Sequence, residues 1–120
     1  MIRLTFNLTA GGTLYVPAPC RGVVAGAKVV WQTTVTTSNI VTISRDTHTV
    51  NLVTAVTTAG LVVEKGVRDA TYKDLVFDPA STTAVEQVIK VVASGGNSVA
   101  SVVTIEFDDY AYVEQPAKEA

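Results

Sequence analysis

Residues 99–107 read Val-Ala-Ser-Val-Val-Thr-Ile-Glu-Phe, and this stretch decides the fold class. Alternate residues from Val99 to Phe107 are apolar except for Ser101, while the residues between them include the polar Thr104 and Glu106. A period of two residues is typical of a β-strand, because successive side chains of a strand point to opposite faces. The stretch therefore predicts a strand with one buried face.

The same alternation opens the chain, where Ile2, Leu4, Phe6 and Leu8 share one predicted face of a strand over 2–9. Composition supports strands throughout, since Val and Thr together supply 39 of the 120 residues and their branched side chains favour extended backbone. An all-helical domain is excluded. Further strands are predicted at 13–16, 22–32, 40–44, 48–56, 75–77 and 86–93.

Turn residues separate these segments. Gly11-Gly12 turns the chain after the first strand, and Arg45-Asp46 predicts a tight turn. Gly26 indicates a bend or bulge inside a long strand. The sequence Ser94-Gly-Gly-Asn-Ser98 predicts a hairpin between the strands on either side of it. A helix over 83–92 is the main alternative in this part of the chain, and the polar stretch 64–74 predicts a long surface connection.

About eight short antiparallel strands with turns every 8 to 12 residues or so predict a β-sandwich or a closed barrel. We expect an all-β fold, a jelly-roll or Greek-key β-sandwich, formed by a single domain over residues 1–113. Residues 114–120 have no apolar anchor and are expected to be a polar C-terminal tail.

Charge and hydropathy limit the partners. Charged residues make up 17% of the chain, the net charge is −2, and the mean hydropathy is +0.33. The nine basic residues are separated along the sequence, so we expect no nucleic-acid partner. No stretch approaches about 18 apolar residues and the start lacks a signal-peptide pattern. We therefore expect synthesis in the cytoplasm and no membrane span.

The sequence offers few groups for catalysis. Cys20 is the single cysteine and His48 the single histidine, and a nucleophile with its base would have to be built from this pair. Nothing around Cys20 predicts a lowered pKa, so we expect a small packed thiol and a histidine at a strand start. The protein is expected to be non-enzymatic.

Cofactor and metal sites are also not expected. The acidic residues near strand ends could in principle supply oxygen ligands for calcium, but they lack the spacing of a calcium loop and are expected to be solvated: Asp69, Asp74, Asp78, Asp108 and Asp109. The two Gly-Gly pairs connect strands to strands, whereas a phosphate site needs a helix N-terminus.

Aromatic residues divide into core and surface candidates. Trp31 alternates with Val29 and is expected in the core rather than on a sugar-binding platform. Tyr110 and Tyr112 follow the last strand and are candidates for interface anchors. Together with the first tail residues they form the predicted partner interface: Tyr110, Tyr112, Glu114, Gln115 and Pro116.

Several predicted strands carry apolar residues on both faces: Val24 and Val30 oppose Val23 and Val29, Val88 and Val92 oppose Ile89 and Val91, and Val102 opposes Val103. A sandwich buries only one face of each sheet, so this pattern predicts that part of the outer surface contacts other protein, including copies of this chain. Ordinary exposed strand residues would give the same pattern, and this alternative stays open.

A family resemblance spans roughly residues 2–113. Turn residues and β-branched runs carry it: Tyr15-Val-Pro-Ala-Pro-Cys-Arg-Gly22, Trp31-Gln32, Val41-Thr-Ile43, Ile89-Lys-Val-Val92, Ser94-Gly-Gly96 and Val103-Thr-Ile105. In these features the chain resembles the small jelly-roll capsid decoration, or cement, proteins of tailed bacteriophages. No residue-level binding motif is carried over from that family.

The resemblance implies a virion structural protein on the capsid exterior. Such proteins bind as dimers or trimers, bridge neighbouring major capsid protein subunits and stabilise the shell against packaged DNA. The main alternative is a glycan-binding β-sandwich of a phage tail or host-attachment apparatus, which predicts an exposed aromatic platform.

Overall fold

The computed structural model describes residues 1–32, 39–46, 53–57, 63–70, 72, 75–95 and 99–109. At 53–57, 63–64 and 95 the description covers the backbone. Tyr110, Tyr112, Glu114, Gln115 and Pro116, like His48, Asp74 and the whole of the tail, lie outside the described residues.

In the described residues nine strands form two antiparallel sheets, and the all-β prediction is confirmed at this level. In chain order the strands are β1 (Ile2–Leu8), β2 (Thr13–Pro17), β3 (Gly22–Trp31), β4 (Asn39–Ser44), β5 (Val53–Thr57), β6 (Val63–Lys65), β7 (Val67–Arg68), β8 (Val88–Gly95) and β9 (Ser101–Asp109). The four-stranded sheet has the order β1-β9-β3-β6, and the five-stranded sheet has the order β2-β8-β4-β5-β7.

No α-helix occurs in the part of the chain that the structure describes, and no helix there is long and apolar enough to span a bilayer. One turn of 3-10 helix, Ala84–Glu86, precedes β8. The alternative of a helix over 83–92 is therefore wrong, since Val88 to Val92 is strand. The run Val-Ile-Lys-Val-Val favours strand because its β-branched side chains pack well on a pleated surface.

One hydrophobic core joins the inner faces of both sheets. Alternate residues of β3 and β9 meet alternate residues of β4 and β8, and their largest fully buried members include Phe107, Ile43, Ile89 and Ile105. Trp31 is 2% exposed and belongs to this core, as predicted. The period-two pattern of residues 99–107 is confirmed, because Ser101, Val103, Ile105 and Phe107 are buried while their neighbours are half-buried.

The predicted bulge in β3 is confirmed. The pairing of β3 with β9 shifts register between Val24 and Gly26. The extra residue changes which parity points inward, so Val24 packs in the core before the shift and Ala27 and Val29 pack there after it. Val23 is also buried, so the start of β3 is covered on both sides.

The predicted hairpin at Ser94–Ser98 is wrong. β8 pairs with β2 and β4, whereas β9 pairs with β1 and β3, so the connection between β8 and β9 crosses from one sheet to the other. In the described residues β4 and β5 pair as far as Ile43 and Val53, and the predicted turn at Arg45-Asp46 leads into residues 47–52, which lie outside them. Gly11, at φ +63°, lies in the turn from β1 to β2, and this turn also leads from the four-stranded sheet to the five-stranded sheet.

One side of the structure is closed by a single segment. β6 pairs with β3 of the four-stranded sheet, and β7 pairs with β5 of the five-stranded sheet. Only Gly66 separates them, and its N–H donates to the carbonyl of Ala27 at 2.9 Å. The start of the predicted surface connection 64–74 therefore forms the end of β6 and the whole of β7, two short strands that belong to different sheets.

Candidate interaction surface

The outer face of the five-stranded sheet is the less charged of the two outer surfaces. We call it the apolar face and define it by the outward residues of β2, β4 and β8: Thr13, Tyr15, Pro17, Ile40, Thr42, Ser44, Val88, Lys90, Val92 and Ser94. The residues that alternate with them in these strands face the core. Only one of the ten is charged, so desolvating this face costs little.

Tyr15 is the main projection on the apolar face. Its side chain is 49% exposed and lies directly across from Lys90 on β8. The Lys90 ammonium is 3.3 Å from the Asp46 carboxylate, so the one charge of the face has a partner. A tyrosine beside a neutralised lysine is suited to an interface, because its ring supplies apolar area and its hydroxyl a hydrogen bond.

Val67 extends the apolar face towards its far edge. Strand pairing places Thr13, Val92, Thr42, Thr54 and Val67 in one row across the five strands. Val67 is 75% exposed, while Val92 is half-buried. The predicted excess of outward-facing apolar residues is thus present at Val88 and Val92, and at Val30 and Val102 on the other sheet.

The outer face of the four-stranded sheet is charged. Lys28 on β3 lies directly across from Lys65 on β6, and both are exposed. Arg3 and Glu106 are cross-strand neighbours 4.0 Å apart on the same face. An open cleft of about 450 Å³ lies among these four side chains, with Ala27 and Thr104 also lining it. Basic residues that are separated in the sequence are therefore neighbours in the sheet.

Two arginines hold the connection between β7 and β8 onto the sheets. The Arg68 guanidinium lies 4.0 Å from the ring centroid of Tyr72 and donates to the Ala25 carbonyl at 3.3 Å. The Arg45 guanidinium lies over the Phe77 ring and donates to the Val76 carbonyl. Burial lowers the pKa of Arg45, and the charge of Glu86 partly opposes that effect.

The predicted strand over 75–77 is reduced to a single bridge. Phe77 pairs with Gly22 and is fully buried, and the residues around it form no ladder. Three residues between a polar loop and Asp78-Pro79 are too few to extend the pairing, since Pro79 has no N–H. The loop is instead tied by its own hydrogen bonds, including Asp78 N–H to the Glu86 carbonyl at 2.7 Å.

The groups considered for catalysis are not assembled into a reactive site in the described residues. Cys20 is half-buried, and burial raises the pKa of its thiol. The nearby Asp109 carboxylate raises that pKa further, by its charge and by a hydrogen bond. The thiolate is therefore disfavoured, and with it nucleophilic attack. In the described residues no three metal-ligating side chains form a cluster.

Two buried polar side chains have no hydrogen-bond partner among the described residues. Asn39 and Ser101 are 0% and 1% exposed, and both face inward at the end of the core where β1 turns into β2. Their strands continue into segments outside the described residues. An unsatisfied buried polar group lowers stability, so these two positions are weak points of the core.

Sequence reasoning missed three surface features: exposed Tyr15, exposed Val67 and the Lys28–Lys65 pair. Each depends on cross-strand register, which single-strand periodicity does not contain. The alternation of Tyr15 with Leu14 and Val16 is the one usable signal in the sequence, since it places the ring on the outer side of β2.

Comparison with protein-family models, with curated proteins and with solved structures finds no match for this chain.

Proposed function

We propose that this protein is a non-enzymatic structural protein that decorates a bacteriophage capsid and stabilises it by bridging major capsid protein subunits. The apolar face carries the proposal, because it offers a wide, nearly uncharged contact surface with the exposed Tyr15 ring projecting at its β2 edge. Binding through such a face needs no catalytic group. The raised pKa of Cys20 disfavours the thiolate, and with it a role of this cysteine as a nucleophile.

The proposal includes a jelly-roll β-sandwich. The strands pair in a nested order, β1 with β9, β2 with β8, β3 with β6 and β4 with β5, with β7 added at one edge. A long hairpin wrapped into two sheets gives this nesting, and the jelly roll is the fold built that way. Jelly rolls are common in viral capsid proteins, which makes the connectivity compatible with the proposed role.

A repeated shell makes weak contacts sufficient. Each copy would contact the capsid through a modest area, and an oligomer on a symmetric lattice would engage several sites at once. Once one copy of the oligomer is bound, the next copy is held close to its own site at a high effective concentration. Strong overall binding then does not require high affinity at each single site. The proposed location is the capsid exterior, after synthesis in the cytoplasm, with the major capsid protein and further copies of this chain as partners.

Purified virions provide the direct test. We expect the protein to sediment with the particles at a fixed copy number per major capsid protein subunit, as measured by quantitative mass spectrometry. Particles that lack it should release DNA at a lower temperature. Absence of the protein from washed particles would reject the proposal.

Variants then test the face. Tyr15→Ala and Val92→Lys should reduce binding to particles, because the first removes the projecting ring and the second introduces an unpaired charge. Thr104→Ala, on the outer face of the other sheet, is the matched control and should bind as the parent protein does. Equal binding by all three variants would exclude the apolar face as the contact surface.

The exposed ring of Tyr15 also supports a second candidate function, a glycan-binding module. A solvent-exposed aromatic side chain on a β-sheet can stack against a sugar ring. A glycan array probed with the whole protein tests this alternative, and Tyr15→Ala should abolish any signal. A signal that survives this substitution, or no signal at all, would exclude a Tyr15 sugar site.

A further inference from the structure

The four sheet edges of this protein are unequal. In the part of the chain that the structure describes, β6 and β7 are edge strands of three and two residues, and the chain passes between them at Gly66. The Arg68 guanidinium donates a hydrogen bond to the Ala25 carbonyl beside these two strands. On this side the edges are short and partly capped, as edges protected against further pairing usually are.

The opposite side is formed by β2 and β1, and only β2 has a protecting residue. β2 ends at Pro17, which cannot donate a backbone hydrogen bond. β1 runs for seven residues from Ile2 to Leu8, contains no proline and pairs with β9 without a bulge. No described strand pairs with its other edge. Arg3 is its one charged residue.

The side chains beneath this edge are incompletely covered. Leu4 and Phe6 on β1 and Leu14 and Val16 on β2 pack against the core yet stay half-buried. Core residues on the central strands, such as Ile105, are fully buried. The open side therefore presents a strand edge with which no described strand pairs, beside half-buried apolar side chains, and strand addition uses this combination.

We propose that β1 is the self-association edge of this protein, and that two copies join their four-stranded sheets by antiparallel β1–β1 pairing. The sequence of β1 is self-complementary when Thr5 lies on the two-fold axis. Leu4 of one copy is then opposite Phe6 of the other, and Arg3 is opposite Asn7. Apolar residues meet apolar residues, and no like charges face each other.

Other registers are poorer. A two-fold axis at Arg3 places two guanidinium groups opposite each other, and an axis at Leu4 or Phe6 pairs only five of the seven β1 residues with one another. The Thr5 register uses all seven residues, about 23 Å of strand at roughly 3.3 Å per residue. An edge of this length gives a contact smaller than a standard interface, so we expect a dissociation constant in the micromolar range.

This inference deepens the proposed function, because it names the surface of the oligomer that the capsid would bind. The two can fail separately. Self-association is measured on the purified protein alone, whereas decoration is measured on particles. A β1 dimer that does not bind particles would leave the inference standing and remove the proposed function, and a monomer that binds particles would do the reverse.

Charge substitutions at the proposed axis give the test. Thr5 is exposed, and its hydroxyl oxygen lies 3.0 Å from that of Thr104. Thr5→Lys places two ammonium groups opposite each other across the axis, and Thr5→Glu places two carboxylates there. We expect each variant to raise the dimer dissociation constant at least tenfold in sedimentation velocity over a concentration series. An equimolar mixture of the two should recover the parent value at low salt.

Two control variants separate the effect of a charge at the β1 edge from the effects of added surface charge and of losing the Thr5–Thr104 hydrogen bond. Thr13→Lys adds the same charge to an exposed threonine of β2, and Thr104→Ala removes the Thr5 hydrogen-bond partner. Both should dimerise as the parent does, and thermal unfolding should show that every variant is folded. A parent protein that stays monomeric at several hundred micromolar, or Thr5 variants that dimerise normally, would overturn the proposal. So would a mixture that fails to recover dimerisation.

Discussion

Gly22 and Phe77 exchange two backbone hydrogen bonds, one from Gly22 N–H to the Phe77 carbonyl at 2.9 Å and one from Phe77 N–H to the Gly22 carbonyl at 2.8 Å. This bridge fixes the β7–β8 connection to the start of β3 and places the Phe77 ring in the core. On its other side Gly22 pairs with Asp109 of β9. A glycine thus lies between two backbones at the point where the loop meets the sheet.

We expect Gly22→Ala to destabilise the protein by about 3 kcal/mol, because an added methyl cannot be accommodated there. A Cβ at Gly22 would lie 1.9 Å from the Asp108 carbonyl oxygen and 2.6 Å from the Phe107 ring. Urea denaturation measures the loss. Gly26→Ala is the matched control, because the one close contact of its Cβ would be the Glu106 carboxylate oxygen at 2.7 Å, at the end of a side chain that can rotate away. Equal losses in both variants would contradict this assignment.

The Lys28–Lys65 pair should lower stability, because like charges directly opposite each other in a sheet repel. We expect Lys65→Glu to raise the free energy of unfolding by roughly 0.2–1 kcal/mol, with the gain shrinking as salt is added. Lys28→Glu should act in the same direction. The double variant restores a like-charge pair and should lose the gain, and a double variant more stable than both single variants would contradict a direct interaction.

Local alternation was enough to predict β1, β2 and β9, because each has one face in the core and one outside it. It could not assign strands to sheets. The residues at 94–98 have the composition of a hairpin turn, yet β8 and β9 lie in different sheets. A turn of this kind permits pairing but does not require it, and here β9 lies between β1 and β3. Strand order depends on such long-range packing, which periodicity does not record.

The presence of outward-facing apolar residues could be predicted from the sequence, but the positions of the surface residues relative to one another could not. Apolar residues on both faces of β8 indicated a contact surface, and the structure has Val88 and Val92 on the apolar face. The position of Tyr15 beside Lys90, and of Lys28 beside Lys65, follows from registers between strands that are distant in sequence. The predicted interface at Tyr110 and Tyr112 stays a prediction.

Ser101→Ala should be neutral or stabilising, by up to about 1 kcal/mol, because the Ser101 hydroxyl is buried without a partner in the described part of the chain. Removing an unsatisfied polar group recovers its desolvation cost and leaves only a small loss of packing. Ser44→Ala provides the comparison, since the Ser44 hydroxyl donates to the Arg45 carbonyl at 3.3 Å. Thermal unfolding of both variants measures the difference, and a clear loss at Ser101 would reveal a hydrogen bond to that hydroxyl.

Cys20 should react slowly with alkylating reagents in the native protein. Burial and the Asp109 carboxylate both raise the pKa of the thiol, so less thiolate is present at a given pH than in the unfolded chain. We expect the iodoacetamide rate at pH 8 to be lower in the folded protein than in urea, and Asp109→Asn to increase the folded rate.

The raised pKa of the Cys20 thiol also makes the stability of the folded protein depend on pH. The contribution of this thiol to stability is fully present below its unfolded-state pKa and is lost as the pH rises from there through the higher folded-state pKa, so the folded protein should lose stability on the alkaline side. Cys20→Ala should remove that part of the alkaline loss, and a thiol that reacts equally fast in the folded and unfolded chains would contradict the raised pKa.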